Sequence, residues 1–159
     1  MNTTPIRNAM TVDVEDYFQV SAFTPHISRE SWTSIFCRVE SNIDRILSLL
    51  DEEGAKATFF TLGWIADRHP DMVRRIVANG HELASHGWAH HRVSDQEPHE
   101  FRDDVMRSKA ILEDIGGQAI LGYRAPSFSI GRNNLWALDI LEEAGYRYSS
   151  SIYPIQHDH

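Results

Sequence analysis

The stretch ATFFTLGWIADRHPDMVRRIVANGHELAS, residues 57–85, has the pattern of a strand, a helix and a second strand. Residues 57–62 form a short apolar run of the kind found in buried strands. Pro70 suits the first turn of a helix, Gly80 suits its end, and the apolar residues between them share one face: Met72, Val73, Ile76 and Val77. Residues 82–85 then predict another strand. Strands joined by a helical crossover run parallel, so this stretch predicts a parallel α/β sheet.

The same alternation continues toward the N-terminus. Residues 9–14 are short, apolar and end in acids, which predicts a first strand. Gly54 can end a helix in the left-handed conformation, and the apolar residues before it recur at helical spacing: Val39, Ile43, Ile46, Leu47 and Leu50. The long segment 15–38 lies between this strand and this helix, in the position where α/β folds carry active-site loops.

The alternation also continues toward the C-terminus. Ser94 and Glu97 have the spacing of a capping box and predict the start of a helix whose apolar face holds Phe101, Val105, Leu112 and Ile115. Residues 119–123 predict the next strand. One more helix is predicted to end at Gly145, and residues 148–150 predict a last strand.

Five predicted strands and four main helices indicate an α/β protein. A closed (β/α) barrel usually needs about 200 residues or more, whereas this chain has 159 residues and ends soon after a strand. We therefore expect a deformed (β/α) barrel that is truncated on its C-terminal side, with residues 1–159 as the N-terminal part of a single domain. A small, complete doubly wound sheet is the alternative.

Composition narrows the classes of function. The hydrophobic content of 42% and charged content of 24% are those of an ordinary globular protein. No apolar run approaches the roughly 20 residues of a membrane span, and residues 1–10 contain no apolar signal segment, which favours the cytoplasm. The single cysteine, Cys37, excludes an internal disulfide and a cysteine-rich zinc site. A net charge of -8 argues against nucleic acid as a partner.

Three clusters of residues are candidates for chemistry. Acids end the first predicted strand in the run TVDVED, residues 11–16, where burial is costly unless they pair or bind a metal. His86 and His90 have a spacing that places two imidazoles on one side of a helical turn, within reach of one divalent ion. Arg124 follows the fourth strand and can pair with and orient an acid.

These clusters follow the first, third and fourth predicted strands. In a parallel barrel the carboxyl ends of the strands converge on one face, so the three clusters are expected to meet there. Two histidines and one carboxylate leave coordination positions open for water and substrate, as in a catalytic metal site. Taken singly, each cluster is also compatible with ordinary surface residues, and their convergence is what favours a site.

The three motifs resemble those of the polysaccharide deacetylases of carbohydrate esterase family 4, the group with NodB homology. The family's Thr-Phe-Asp-Asp appears here as Thr-Val-Asp-Val-Glu-Asp, its two-histidine motif as residues 85–90, and its Arg-x-Pro as residues 124–126. The runs VDVEDYFQVSAF, ATFFTLGWIADRHP and GHELASHGWAHHRV further resemble a narrower branch, the exosortase-associated (PEP-CTERM) deacetylases of bacterial exopolysaccharide clusters.

The resemblance implies a role for each matching residue. Asp13 would be the general base, Arg124 would orient it, and His86 and His90 would bind a divalent metal, expected to be Zn²⁺. The family's acidic ligand follows the base directly, but Val14 stands there, so the ligand is either Glu15 or Asp16 and the preference falls on Asp16. A family general acid cannot be placed, and His157 and His159 are in the wrong context for it.

The implied function is metal-dependent hydrolysis of N-acetyl groups on an amino-sugar polymer or oligomer, in bacterial exopolysaccharide biosynthesis. Four residues are candidates for the sugar site, although each is more often a core residue: Trp88, Tyr123, Pro126 and Phe128. The alternatives are an allantoinase-like hydrolase of small-molecule amides and a non-catalytic module that binds sugar or metal. A sheet that does not close would expose an edge and apolar surface, so we also expect self-association and a fragment that is not itself a competent deacetylase.

Overall fold

The computed structural model describes residues 8–153, so His157 and His159 lie outside the described residues. Five parallel strands form one sheet in the order β1-β2-β3-β4-β5. They are β1 Met10–Val14, β2 Ala57–Thr61, β3 Glu82–Ser85, β4 Gly122–Tyr123 and β5 Tyr148–Ser149. The order never reverses, whereas a doubly wound sheet reverses at its switch point. The predicted α/β class is therefore confirmed, with the sequential winding of a (β/α) barrel.

The helices alternate with the strands as predicted, with one addition. They are α1 Val39–Glu52, α2 Gly63–Arg68, α3 Pro70–Ala78, α4 Pro98–Gly116 and α5 Trp136–Glu143. Helix α2 begins directly after β2 and was not predicted, because a glycine after an apolar strand resembles a turn. A Cβ at Gly63 would lie 2.5 Å from Cε3 of Trp88, so glycine permits α2 to pack closely against the loop after β3.

Two predicted boundaries are wrong. Helix α4 begins after Glu97, which forms the capping box with Glu100, while Ser94 belongs to a preceding 3₁₀ turn, Val93–Asp95. Pro98 explains the shift, because proline is favoured in the first helical turn. The strand predicted over residues 119–123 pairs only at its end, since the amide of Ile120 donates instead to Oε1 of Glu113, at 3.0 Å.

The main apolar core lies between the sheet and its helices, and Val14, Phe59, Ile65 and Leu112 are fully buried in it. A second, smaller cluster lies under the segment that follows β1. There Phe18 and Trp32 are buried and their rings pack against Trp64. Three 3₁₀ turns shape this segment: Tyr17–Gln19, Ser21–Phe23 and Arg29–Ser34. The cluster thus fixes the long loop beside the carboxyl edge of the sheet.

In residues 8–153, none of the helices has both the length and the apolar character needed to cross a lipid bilayer.

Candidate functional site

The sheet register brings the three sequence clusters to one edge. Ser85 of β3 pairs with Tyr123 of β4, so His86 and Arg124 occupy equivalent positions one residue beyond that pair. The backbone ladder continues through both residues: the amide of His86 donates to the Thr61 carbonyl at 3.0 Å. Asp13 lies near the end of β1, beside the same edge. The predicted convergence of the first, third and fourth strands is present.

Glu15, His86 and His90 form the cluster that could hold a metal ion. Each offers one ligand atom, and these three atoms lie within 4.8 Å of one another. Oε2 of Glu15 is 3.0 Å from Nε2 of His90, and the two imidazole rings are 5.3 Å apart between centroids. Zinc bonds to nitrogen and oxygen ligands are about 2.0–2.2 Å long, so three atoms this close can share one ion.

The two histidines lie in a loop and not on a helical turn, so that prediction is wrong. Gly87 has a φ of 75° and His90 a φ of 53°, both in the left-handed region. A residue other than glycine held there typically costs about 1–3 kcal/mol and is common at functional sites. The loop is held by Arg29, whose Nε donates to the Ala89 carbonyl at 3.1 Å, and by Asp104, whose Oδ1 accepts from the Trp88 amide at 3.0 Å.

Hydrogen bonding leaves Nε2 of His86 free to bind a metal. Nδ1 of His86 lies 2.8 Å from the backbone carbonyl of Arg124, which can only accept, so Nδ1 carries the proton. In the neutral ring Nε2 then has the lone pair, the arrangement usual for metal-binding histidines. Burial lowers the pKa of His86, outweighing the nearby carboxylates of Asp13 and Glu15, and so favours that neutral ring.

Glu15 has the charge and the unmet bonding that a metal ligand needs. Burial raises its pKa, but His90 and His86 outweigh burial and bring the pKa below its usual value. Among residues 8–153, Oε2 of Glu15 and Nδ1 of His90 are buried without a hydrogen-bond partner, and Oε2 lies 3.0 Å from Nε2 of His90. Buried polar atoms are rarely left unsatisfied, and a bound cation would satisfy the carboxylate. The residues present therefore fit a divalent metal.

Asp16 does not join this cluster, which corrects the preference for it over Glu15. Its carboxylate is buried and accepts hydrogen bonds from the backbone of three residues. Oδ1 accepts from the Tyr17 amide at 2.8 Å, and Oδ2 accepts from the amides of Arg38 and Val39, the latter at 2.9 Å. Asp16 thus caps the start of α1, and its oxygens are already used.

Arg124 holds Asp13, as the sequence predicted for this pair. Its Nη1 donates to Oδ1 of Asp13 at 2.7 Å, and the side chains are 11% and 31% exposed respectively. The guanidinium also donates to the Ser150 hydroxyl at 2.9 Å and lies 4.1 Å from the ring centre of Phe60. Contacts on several sides fix the guanidinium, so one Asp13 oxygen is held while the side chain stays partly open to solvent.

The candidate sugar-binding residues are divided by the structure. Phe128 is exposed and lines a cavity of about 440 Å³ together with Asp13, Glu15 and both histidines. Trp88 lines a different cavity on the other side of His90. Tyr123 and Pro126 are buried, and Tyr123 packs in the core against Phe101 and Tyr146. The prediction that Tyr123 and Pro126 contact the sugar is therefore wrong, because both side chains are buried beneath the site.

Several lining residues of the site cavity were missed from the sequence, among them Ser21 and Arg92. Ser21 and Arg92 line it beside His90 and Phe128. Ser21 lies in the long segment after β1, and its hydroxyl is 2.8 Å from that of Ser127. The length of that segment indicated that it lies near the site, but no sequence periodicity distinguishes one polar loop residue from another.

The candidate metal centre lies at the carboxyl edge of a parallel, sequentially wound sheet. It combines a carboxylate and two imidazoles with an aspartate held by an arginine, which is typical of metal-dependent hydrolases with an α/β fold. The family model described as "Polysaccharide deacetylase" matches residues 32–149. The chain belongs to the polysaccharide deacetylase family.

Relatives support this membership. A peptidoglycan-N-acetylglucosamine deacetylase of Bacillus cereus is 33% identical over 96 residues, which are 60% of this chain and 35% of that protein. A chitooligosaccharide deacetylase of Bradyrhizobium is 31% identical over 96 residues, again 60% of this chain and 42% of the relative. The chain thus spans well under half the length of these two curated relatives.

Solved structures agree with the fold. A Mycobacterium smegmatis protein assigned to the polysaccharide deacetylases matches with a TM-score of 0.74 and 30% identity, over 90% of this chain and 50% of that one. A Bacillus anthracis pseudoenzyme of the CE4 family matches with a TM-score of 0.68 at 19% identity, over 89% of this chain and 41% of its own, and shows the fold alone.

Proposed function

We propose that this chain carries the metal-binding part of an enzyme that removes N-acetyl groups from the amino sugars of a polysaccharide. The observation that carries the proposal is the cluster of Glu15, His86 and His90 beside the arginine-held Asp13. Two carboxylates in different surroundings suit two roles, one as ligand and one as base. The relatives named peptidoglycan-N-acetylglucosamine and chitooligosaccharide deacetylases support an acetylated amino sugar as the substrate.

In this mechanism Glu15, His86 and His90 hold a divalent ion, for which Zn²⁺ is our proposal. When bound, such an ion supplies a Lewis acid for the acetamide carbonyl and acidifies a water molecule. Asp13 accepts the proton of the attacking water. Arg124 directs the Asp13 carboxylate by its 2.7 Å hydrogen bond. Phe128 offers an apolar wall for the sugar ring.

The finer parts of the proposal rest on the sequence alone. The runs quoted above favour the exosortase-associated branch and a role in bacterial exopolysaccharide biosynthesis, in the cytoplasm. Within the cavity lined by described residues, His86 and His90 are the histidines, and both are assigned to the metal. We therefore propose that the general acid for the leaving amine comes from outside residues 8–153.

Metal binding is the direct test. Purified chain should hold about one zinc-like ion per molecule, and His86→Ala should lower the affinity strongly, because a three-ligand site loses one ligand. His99→Ala is the matched control, since His99 is exposed on α4 and outside the cluster. Elemental analysis and calorimetric titration measure both variants.

The outcomes separate the candidate functions. Equal metal content in wild type and His86→Ala would reject the metal centre. Metal binding with release of acetate from acetylated chitooligosaccharides, in a form of the enzyme with its general acid, supports the deacetylase. Metal binding with hydrolysis confined to small amides would instead favour the allantoinase-like alternative.

A further inference from the structure

The loop after β3, which carries both histidines of the metal cluster, is bonded to α2 through its two central residues. These are Gly87 and Trp88. The Gly87 carbonyl accepts from the Gly63 amide and the Trp88 carbonyl accepts from the Trp64 amide, both at 2.9 Å. Gly63 and Trp64 are the first residues of α2. The start of α2 therefore fixes the carbonyl side of the loop.

The amide side of the same loop faces α4, where two polar side chains support it. Oδ1 of Asp104 accepts from the Trp88 amide at 3.0 Å. Ser108 lies four residues further along α4, and its hydroxyl is 2.9 Å from that of Ser85. The Ser85 hydroxyl in turn accepts from the Gly87 amide at 3.2 Å. Residues four apart share one face of a helix, so a single face of α4 supports both amides.

The contact between α4 and the loop is close and specific. A Cβ at Gly87 would lie 2.9 Å from Oδ1 of Asp104, and the φ of Gly87 is 75°, so the position requires glycine. Ser85 and Ser108 are both 0% exposed. Buried hydroxyls are costly without a partner, whereas a pair that is mutually bonded favours one packing arrangement over others. The serine pair therefore specifies how α4 sits against the loop.

This support reaches the metal cluster through the backbone. Trp88 lies midway between His86 and His90, so a shift of its amide would move both imidazoles. His90 has a φ of 53°, and such a conformation persists only where the surrounding structure imposes it. Residues that orient metal ligands typically change metal affinity by about 10- to 100-fold when they are replaced.

We propose that Asp104 and Ser108 are positioning residues of the candidate metal centre, and that they hold the loop in its metal-binding conformation before any ion is bound. The inference rests on the proposed function and adds to it that the site is preformed from α4. Neither residue belongs to the cluster that could hold the metal, and each acts through a backbone amide. A preformed loop lowers the entropy cost of binding the ion.

The first measurement is amide hydrogen exchange in the zinc-free, 159-residue chain, with the amides of β2 as the reference for global unfolding. The amides of Gly87 and Trp88 should be protected in the wild type. Asp104→Ala should speed exchange at Trp88, and Ser108→Ala at Gly87, by about tenfold relative to β2, the size of a lost buried hydrogen bond. Asp104→Asn keeps an acceptor and should retain the protection of Trp88.

A control variant separates positioning from a general loss of stability. Ile115 packs against the main core from the last turn of α4, away from the loop. Ile115→Ala should lower the stability of the chain without changing the exchange of the loop amides relative to β2. Circular dichroism at the temperature of the assay verifies that every variant is folded.

The second measurement is the Kd for zinc, by competition with a chelator. Asp104→Ala and Ser108→Ala should each raise this Kd by about tenfold or more, because the histidines lose their fixed orientation. Asp104→Asn should restore the Kd to within about threefold of the wild type, and Ile115→Ala should leave it within about twofold.

Two results would overturn the proposal. One is a pair of alanine variants that change exchange and zinc affinity no more than Ile115→Ala does. The other is a wild-type loop whose amides are unprotected until zinc is added, because the ion would then order the loop. Acetate release is measured separately. The expected changes in exchange and zinc affinity, without acetate release in any form of the enzyme, would support the positioning role and reject the deacetylase.

Discussion

Asp13 and Glu15 lie two residues apart, yet their surroundings suit different work. Asp13 is partly exposed and hydrogen-bonded to Arg124, whereas Glu15 is less exposed and faces the imidazole of His90. Each carboxylate has a basic side chain beside it, and for Glu15 the histidines outweigh burial and lower its pKa. The two carboxylates differ in what their oxygen atoms can still bind. Asp13 has solvent access for a proton, and Glu15 has a buried oxygen without a hydrogen-bond partner in the described part of the chain.

Replacement of Asp13 should separate catalysis from metal binding. Asp13→Asn keeps an oxygen for Arg124 but cannot accept a proton, so a form of the enzyme with all its catalytic groups should lose about 10²-fold or more in turnover. Its metal content should match that of wild type. Acetate release and elemental analysis give the two readouts, and unchanged turnover would show that Asp13 is not the base.

Asp104 predicts a pH dependence of stability. Burial raises its pKa from 3.8 to about 6, against the lowering effects of the Trp88 amide, Arg107 and Arg29. The folded state therefore keeps this proton to a higher pH than the unfolded state does. Consequently, the free energy of unfolding falls as pH rises from about 4 to about 6, by at most about 3 kcal/mol at about 1.4 kcal/mol per pKa unit.

Asp104→Asn should remove this fall in the free energy of unfolding while keeping an acceptor for the Trp88 amide. Its stability relative to wild type should be higher at pH 7 than at pH 4, and urea unfolding at both pH values measures the difference. Asp114→Asn, an exposed change on the same helix, is the control for general charge effects. A relative stability that stays constant between the two pH values would contradict the assignment.

At the scale of secondary-structure elements, α1 begins with a capping carboxylate that comes from a distant turn. Asp16 accepts from the amides of Arg38 and Val39, which lie 22 and 23 residues further along the chain. The first amides of a helix have no partner within it, and an acid there also interacts favourably with the helix dipole. Asp16 therefore joins the loop after β1 to α1, and indirectly keeps Glu15 beside the histidines.

Asp16→Ala should lower the free energy of unfolding by about 1–3 kcal/mol, since it removes a cap and leaves buried amides unsatisfied. Thermal or urea unfolding measures this loss. Glu15→Gln is the paired variant and should weaken metal binding with a smaller effect on stability. The reverse pattern, with metal lost from the Asp16 variant at low temperature and retained by Glu15→Gln, would restore Asp16 as the ligand.

The elements were predictable from the sequence where apolar spacing controls them. The spacing of Val39 to Leu50 placed α1, and alternation of strands and helices placed the parallel sheet. The choice between Glu15 and Asp16 was not predictable, because it depends on amides far along the chain. The left-handed conformation of His90 was also not predictable, because Arg29 and Asp104, which hold that loop, belong to distant parts of the sequence.

At the scale of the whole molecule, the described sheet has two open edges. β1 pairs only with β2, and β5 pairs only with β4, within residues 8–153. Apolar side chains are exposed beside these edges, with Met10 at 54% on β1 and Ile152 at 55% just after β5. Unpaired strand edges and apolar surface together favour association with another chain.

The 159-residue chain should therefore associate in solution and turn over more slowly than a longer form that supplies the general acid. Loss of that acid costs about 10²- to 10⁴-fold in rate. Light scattering and acetate release measure the two properties. Ile152→Asp should reduce association, whereas Leu49→Asp, at a 60% exposed site on α1, should not. A monomer whose turnover equals that of a longer chain would contradict both expectations.

Arg124 acts on the site through two chemically different parts, its backbone carbonyl on His86 and its guanidinium on Asp13. Every amino acid carries the carbonyl, but only arginine carries the guanidinium. Replacing Arg124 by another residue would therefore remove the hydrogen bond that orients Asp13. It would keep the backbone carbonyl that sets the tautomer of His86. A single substitution at Arg124 would therefore silence the proposed deacetylase and leave its proposed metal ligands, Glu15, His86 and His90, in place.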